Sequence, residues 1–249
     1  MEKSFVWHSL GVCARIVTNT GIAMMKWKGE NMRYEFEHVL PADIESRSFA
    51  IIEEELTRMG RHLKEDEAPV IMRAIHTTAD FDYADNLVFS PDAVRLGREA
   101  LRAGARIVTD TRMALAGINK KRLEALGGEA LCFMGDADVA LAAKERGSTR
   151  AAASMEKAAR LYGNQAGDEK PLIFAIGNAP TALVSLYELI GKGALAPALI
   201  IAAPVGFVNV VPAKEQILSL ENVPYIVARG RKGGSGVAAA ICNALLYTI

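Results

Sequence analysis

The chain has 249 residues, 51% of them hydrophobic and 23% charged, with 29 Lys and Arg against 29 Asp and Glu. That length suits one large domain with a buried core, and the zero net charge removes any long-range electrostatic reason to seek nucleic acid or an anionic membrane. Cys13, Cys132 and Cys242 are scattered and form no CxxC pair, which argues against a disulfide framework or a zinc site and for a reducing cytoplasm.

Residues 1–31 carry Trp7, Met24, Met25 and Trp27 among glycines and polar residues with no sustained period, and they read as an N-terminal extension to a domain spanning 32–249. The early stretch "SLGVCARIVTNTGIAMM" is interrupted by Arg15 and Asn19, so it supplies neither a signal-peptide core nor a membrane span. Further on, "PADIESRSFAIIEEELTRM" spaces Ile44, Phe49, Ile51, Ile52 and Leu56 at near-helical intervals, with Pro41 near its start and Asp43 placed to cap it. This is a helix with one buried stripe.

In "VIMRAIHTTADFDYADNL" a lone His76 follows an apolar run and precedes Asp80, Asp82 and Asp85. Three readings stand. The first is a structural histidine with satisfied partners. The second is a metal site with Asp80 and Asp82, although hard ions want about six oxygen ligands and zinc wants three or four compact donors, which this segment does not spell out. The third is general acid/base work, for which imidazole is suited. No GxSxG elbow and no locally activated cysteine offers a nucleophile instead.

Five apolar runs follow, beginning at Arg106, Ala130, Leu172, Leu199 and Tyr225, with helix-like segments such as "DADVALAAKERG", "APTALVSLYELIG", "PAKEQILSL" and "GVAAAICNALLYTI" between and after them. Uninterrupted runs suit strands covered on both faces, so the pattern predicts a parallel sheet in a three-layer α/β/α sandwich. Ligands in such sheets bind at the carboxyl ends of the strands, which directs attention to the loops there. In "RGRKGGSG", Arg229, Arg231 and Lys232 precede Gly233, Gly234, Ser235 and Gly236 at a helix start, a pattern suited to a carboxylate or phosphate. The competing reading is a tight glycine turn that packs the helix against the sheet. In "GNAPTAL", Asn178, Pro180 and Thr181 are equally consistent with a simple helix start, and Asp110 with Thr111 is either a helix cap or a ligand contact.

Taken together, "PADIESRSFAIIEEEL", "IHTTADFDYADNLVFSPDA", "VTDTRMALAGINK", "GNAPTAL", "PVGFV" and "GRKGGSGVAAAICNALLY" resemble, in that order and from Tyr34 to Tyr247, the precorrin-8X methylmutases of cobalamin biosynthesis. The resemblance implies a flavodoxin-like sheet of five parallel strands in the order 2-1-3-4-5, and a homodimer. It implies a methyl shift from carbon eleven to carbon twelve of a corrin precursor, formally 1,5-sigmatropic, with no organic cofactor and no protein-bound metal. His76 falls where the family has a histidine that acts as general acid.

The substrate so implied is a tetrapyrrole with several acetate and propionate arms, a polycarboxylate that matches the basic and N–H-rich loops. By position, Arg47 and Ser48 become arm contacts, Asp110 and Thr111 loop contacts, Asn178 and Thr181 contacts from the third loop, and Arg231, Lys232, Gly233 and Ser235 the cradle. Arg112 stands where the family more often has a small polar residue, and Pro212 where an acidic residue is common. "HTTADFDYADNL" is more similar to enzymes of the early-cobalt route, which favours cobalt-precorrin-8 as substrate, with hand-over of the product to the next enzyme of the pathway in the cytoplasm. Two rivals remain from the residues alone: a flavin- or nucleotide-binding protein using "GRKGGSG" for phosphate, and a tetrapyrrole carrier in which His76 is dispensable.

Overall fold

A computed structural model of the chain describes residues 15–18, 21–24, 37, 39–163 and 170–249. Trp7, Met25, Trp27 and Cys13 lie outside the described residues. The chain divides into two compact units, 1–42 and 43–249.

In the first unit β1 (Arg15–Thr18) pairs antiparallel with β2 (Gly21–Met24), Arg15 opposite Met24 and Thr18 opposite Gly21. The sequence reading found no element here, because four-residue strands are too short to set up a period.

The second unit contains α1 (Ile44–Arg58), α2 (Ala68–Thr78), α3 (Tyr83–Asn86), β3 (Leu87–Phe89), α4 (Ala93–Arg102), β4 (Arg106–Thr109), α5 (Arg112–Gly117), α6 (Lys120–Ala125), β5 (Glu129–Leu131) and a 3-10 turn at Phe133–Gly135. It continues with α7 (Ala137–Glu145), α8 (Arg150–Tyr162), β6 (Leu172–Ile176), α9 (Pro180–Gly191), β7 (Leu199–Ala202), α10 (Val210–Leu218), β8 (Tyr225–Ala228) and α11 (Ser235–Tyr247). The tetrapeptide "RIVT" forms both β1 and β4, so the same four residues serve in a hairpin and inside a covered sheet.

The strands of this unit form one mixed sheet in the order β3-β8-β7-β6-β4-β5. The expected five-stranded, all-parallel sheet is therefore incomplete. Its five apolar runs are present as consecutive parallel neighbours, but β3 adds a sixth strand antiparallel to β8, with Leu87 opposite Ala228 and Phe89 opposite Ile226. Three residues carry too little pattern to announce a strand. What holds them is main-chain pairing continued beyond the ladder: Ser90 donates to the Tyr225 carbonyl at 3.0 Å and Arg229 to the Asn86 carbonyl at 2.8 Å.

Alternation along the strands divides the core in two, since successive side chains point to opposite faces. Ile107, Ile173, Ala175, Leu199, Ile201 and Ile226 pack with α2, α4 and α11 on one face. Val108, Phe174, Ile176, Ile200, Ala202 and Val227 pack with α7, α8, α9 and α10 on the other. Every residue of β6 and β7 is buried, which is why those strands read as unbroken apolar runs.

Helix α1 buries a narrower stripe than expected. Ile52 and Leu56 are buried, whereas Ile44 and Ile51 stay 54% and 40% exposed, and Asp43 sits at the N-cap without a side-chain capping bond. Helix α2 was not foreseen, although Val70, Ile71, Ala74 and Ile75 recur on one helical face and are buried.

Candidate active site

Parallel pairing places the carboxyl ends of β4, β6, β7 and β8 on one edge of the sheet, and the loops leaving them are tied together there. Asp110, fully buried at the end of β4, accepts hydrogen bonds from the backbone N–H groups of Gly177 and Asn178, both at 2.8 Å, and Ala179 at 2.7 Å. In this structure its carboxylate is engaged by the main chain. It is the internal brace of the loop after β6. Burial pushes its carboxyl above the usual carboxylate range, against the pull of the three N–H donors. Thr111 caps α5 by accepting from the Ala114 N–H at 3.0 Å and pairs with the Ser235 hydroxyl at 2.8 Å, joining the β4 loop to the start of α11. Asn178 keeps its side chain exposed beside that junction.

Of the two readings left open for the turn after β8, the tight glycine packing is visible in the structure. Gly233 is packed so closely that a side-chain carbon there would overlap the Ala203 carbonyl, and the Gly234 N–H donates to that same carbonyl at 2.8 Å. Those contacts are the tight glycine turn. Lys232 reaches outward, but to protein groups: its Nζ donates to Asp80 and Asp82 carboxylates, each at 2.6 Å. These two acceptors, Asp80 first, raise the Lys232 ammonium to about 12, and the hydrogen bond from Lys232 in turn holds Asp80 below the ordinary carboxylate range. Asp80 and Asp82 both accept from Lys232, so in this structure their carboxylates are paired with an ammonium rather than grouped with His76. Arg231 is exposed, its guanidinium 5.6 Å from the centre of the Phe207 ring.

His76 lies in the last turn of α2 and lines a cleft of about 240 Å³ with Arg73, Thr77, Gly117, Gly236, Ala240 and Tyr247, among others. Its ring stacks on Phe49 of α1, centroids 5.2 Å apart and planes 20° from parallel. Phe49 also carries the Arg73 guanidinium at 4.7 Å, and Tyr247 of α11 holds the same guanidinium at 5.0 Å from the other ring. Arg73 also bonds to Glu45, so the cation is held by two aromatic faces and a carboxylate. Asn243, a further lining residue, is fixed by the loop after α5, donating to the Gly117 carbonyl and accepting from the Asn119 N–H, both at 2.8 Å. The hydroxyls of Thr77 and Thr78 turn back to the carbonyls of Arg73 and Ala74, both at 2.9 Å, so neither orients the imidazole.

The remaining expected residues are more dispersed. Arg47 and Ser48 sit on α1 next to Phe49, with Arg47 3.8 Å from Glu54 and the Ser48 hydroxyl donating to the Ile44 carbonyl. Thr181 pairs with the Thr149 hydroxyl at 2.7 Å, linking α9 to the start of α8. Arg112 lies directly against Gly135. Arg73 was the main omission of the sequence reading, and the available signal was its place three residues before His76, one helical turn away on the same face.

Helices on both faces of a largely parallel sheet, with polar loops at the carboxyl edge and an accessible imidazole beside a cleft, are the construction of α/β enzymes that act on small molecules. This chain is one of them. More narrowly, it belongs to the precorrin-8X methylmutase family, whose model matches residues 43–248, nearly the whole second unit. The cobalt-precorrin-8 methylmutase of Leptospira interrogans is 44% identical over 213 residues, 83% of this chain and 93% of that protein. The precorrin-8X methylmutase of Pseudomonas aeruginosa is 41% identical over 201 residues, covering 80% and 91%. The structure of precorrin-8x methyl mutase from Thermus thermophilus superposes with a TM-score of 0.72 at 40% identity, over 82% of this chain and 96% of that one. The chain is accordingly a methylmutase, an enzyme of the isomerase class.

Proposed function

We propose that this protein moves the methyl group on carbon eleven of cobalt-precorrin-8 to carbon twelve, giving cobyrinate, with His76 as the general acid that protonates the conjugated macrocycle. The observation that carries the reading is the state of the imidazole. It is exposed at the cleft, braced flat against Phe49, and among the described residues nothing hydrogen-bonds to it, so its N–H is available to a ligand. A positioned acid supplies about 10² to 10⁴ in rate, roughly 3 to 5 kcal/mol of barrier. The shift is intramolecular, so the rest falls to holding the macrocycle in the reacting conformation. The choice of the cobalt-bearing substrate is supported by the names of relatives at 44% and 43% identity, both cobalt-precorrin-8 methylmutases.

The cleft, at about 240 Å³, is smaller than the usual 300 to 1,000 Å³ or so of a small-molecule pocket. It receives an edge or one arm of the macrocycle, and the body of the ring lies over the loops outside. Arg73, with Arg47 and Ser48 on the neighbouring helix, then faces carboxylate arms on one side, and Thr111, Asn178, Ser235 and Arg231 on another. An arm that reaches Lys232 competes with Asp80 and Asp82. A second copy of the chain covers the site in this reading, supported by the exposed apolar loop next to Arg231, where Phe207 is 82% and Val208 79% exposed. The enzyme works in the cytoplasm and passes its product to the next enzyme of the pathway.

Single-turnover conversion of cobalt-precorrin-8, followed by the visible spectrum, tests the assignment. His76→Ala lowers the rate about 10² to 10⁴-fold with substrate binding little changed. Equal single-turnover rates for the variant and the wild type sink the general acid and leave catalysis to conformational constraint.

A further inference from the structure

Outside the cleft, Lys214 on α10 is a charge-bearing side chain with no exposed surface. A buried ammonium normally has a carboxylate partner, because an isolated charge loses its hydration without recompense. Lys214 instead donates to two main-chain carbonyls, those of Gly230 and Lys232, each at 2.8 Å. Desolvation accordingly lowers its ammonium to about 8. The neighbouring charges are engaged elsewhere: Glu215, next in the chain, pairs with Arg229, Glu188 of α9 pairs with Lys192, and the Lys232 ammonium holds Asp80 and Asp82.

The turn it binds has little conformational preference of its own. Gly230 and Gly234 both stand at positive φ, +76° and +132°, and glycine pays the largest entropy for being fixed. Three consecutive carbonyls of that turn are satisfied from inside the fold, Gly230 and Lys232 by Lys214, and Arg231 by the Gly206 N–H at 3.2 Å. With the Lys232 carbonyl drawn inward, its side chain is directed out to Asp80 and Asp82, which follow α2 within six residues of His76.

We infer that Lys214 is a positioning residue: its buried ammonium sets the turn at 230–232, the turn aims Lys232, and Lys232 pins the segment Asp80–Asp82 that ends the His76 helix. The line of contacts runs α10, turn, Lys232, end of α2, and no other described side chain donates to the Gly230 or Lys232 carbonyl. The inference concerns how His76 is held, and in that respect rests on the functional reading above.

Amide hydrogen exchange on the ligand-free protein tests the device without reference to chemistry. Lys214→Met keeps an unbranched side chain one atom shorter and removes its donors. Exchange should quicken about tenfold or more in 230–234 and also in Asp80–Tyr83, while Leu183–Leu186 of α9, against which α10 also packs, keeps wild-type protection. Faster exchange confined to 230–234, or spread over the whole chain, overturns the inference. If Lys214→Met does not fold, Lys232→Met tests the outward half. It should open Asp80–Tyr83 and leave the Gly234 N–H, bonded to the Ala203 carbonyl, protected, and unchanged exchange at Asp80–Tyr83 refutes the coupling. With cobalt-precorrin-8, Lys214→Met and Lys232→Met should each slow single turnover, and the double variant should be no slower than the worse single one, because both break the same line. Multiplying defects would show independent roles. An exchange result as expected together with no effect of His76→Ala on turnover would leave the device standing and remove the general acid.

Discussion

Replacing Asp110 with alanine separates a structural aspartate from a ligand-binding one. The carboxylate accepts three backbone N–H bonds at 2.7 to 2.8 Å, one of them, from Gly177, in a fully buried setting and two in partly buried ones. Leaving the buried Gly177 N–H unpaired costs about 2 kcal/mol, and the other two, which water can reach in part, cost about 1 kcal/mol each. Relief of the desolvated charge offsets some of this, so the expected loss is about 3 kcal/mol, a large fraction of the 5 to 15 kcal/mol or so that stabilises a typical domain. Asp110→Asn should lose less, about 2 kcal/mol, because the amide oxygen can still accept from Asn178 and Ala179, which leaves only the Gly177 N–H facing an NH₂ that cannot accept. Equilibrium unfolding in urea, with the slope checked for constancy, gives both values. A loss below about 1 kcal/mol for Asp110→Ala, accompanied by weakened substrate binding, would refute the brace and restore the ligand contact.

Other substitutions probe neighbouring parts of the same edge. Gly233→Ala forces a methyl group onto the Ala203 carbonyl and should cost about 3 kcal/mol or more in urea unfolding; a variant as stable as wild type would mean that the turn retreats freely. Lys214 makes stability depend on pH in a defined direction. Its ammonium titrates at about 8 in the fold against 10.5 ordinarily, so between those values the unfolded chain holds a proton that the folded chain has shed. Raising the pH through that window therefore stabilises the wild type relative to Lys214→Met, by up to about 1.4 kcal/mol per pH unit. Urea unfolding of both proteins at about pH 7 and about pH 9.5 measures it, and a constant difference contradicts the assignment. A chain that starts at Met32 should unfold at the wild-type urea midpoint and turn over substrate, since the family match begins at residue 43; loss of folding would show that residues 1–31 are integral.

The sheet was legible where strands are covered on both sides. β6 and β7, buried at every position, wrote themselves into the sequence as "LIFAI" and "LIIA". β3 did not, because three residues held by pairing to β8 need no pattern of their own. At the site, His76 stood out by its motif, whereas the pairing of the Thr111 and Ser235 hydroxyls, 124 positions apart, carries no local signal. The bracing role of Asp110 was not legible for a physical reason: an aspartate before a helix looks like a cap, and the N–H groups it serves lie 67 to 69 positions along the chain. Asp80 and Asp82 were placed beside His76 in the reading, yet their partner is Lys232, 150 or more positions away. Lys214 passed unnoticed for the opposite reason, since "PAKEQILSL" gives a lysine no sign of burial.

Gly236, in the first turn of α11, has an ordinary helical conformation and no tight neighbour. A methyl group there would meet only the Thr77 side chain, at a comfortable 3.8 Å. Alanine at this position would thus fit, and would favour the helix by about 1 kcal/mol. What the glycine supplies is empty space on the wall of the cleft, in front of Thr77 and next to the turn that carries His76. The protein forgoes stability at that point in favour of room for another molecule, a trade in which activity and durability pull apart. Selection for heat resistance alone would fill Gly236 early, and selection that keeps turnover would leave it open.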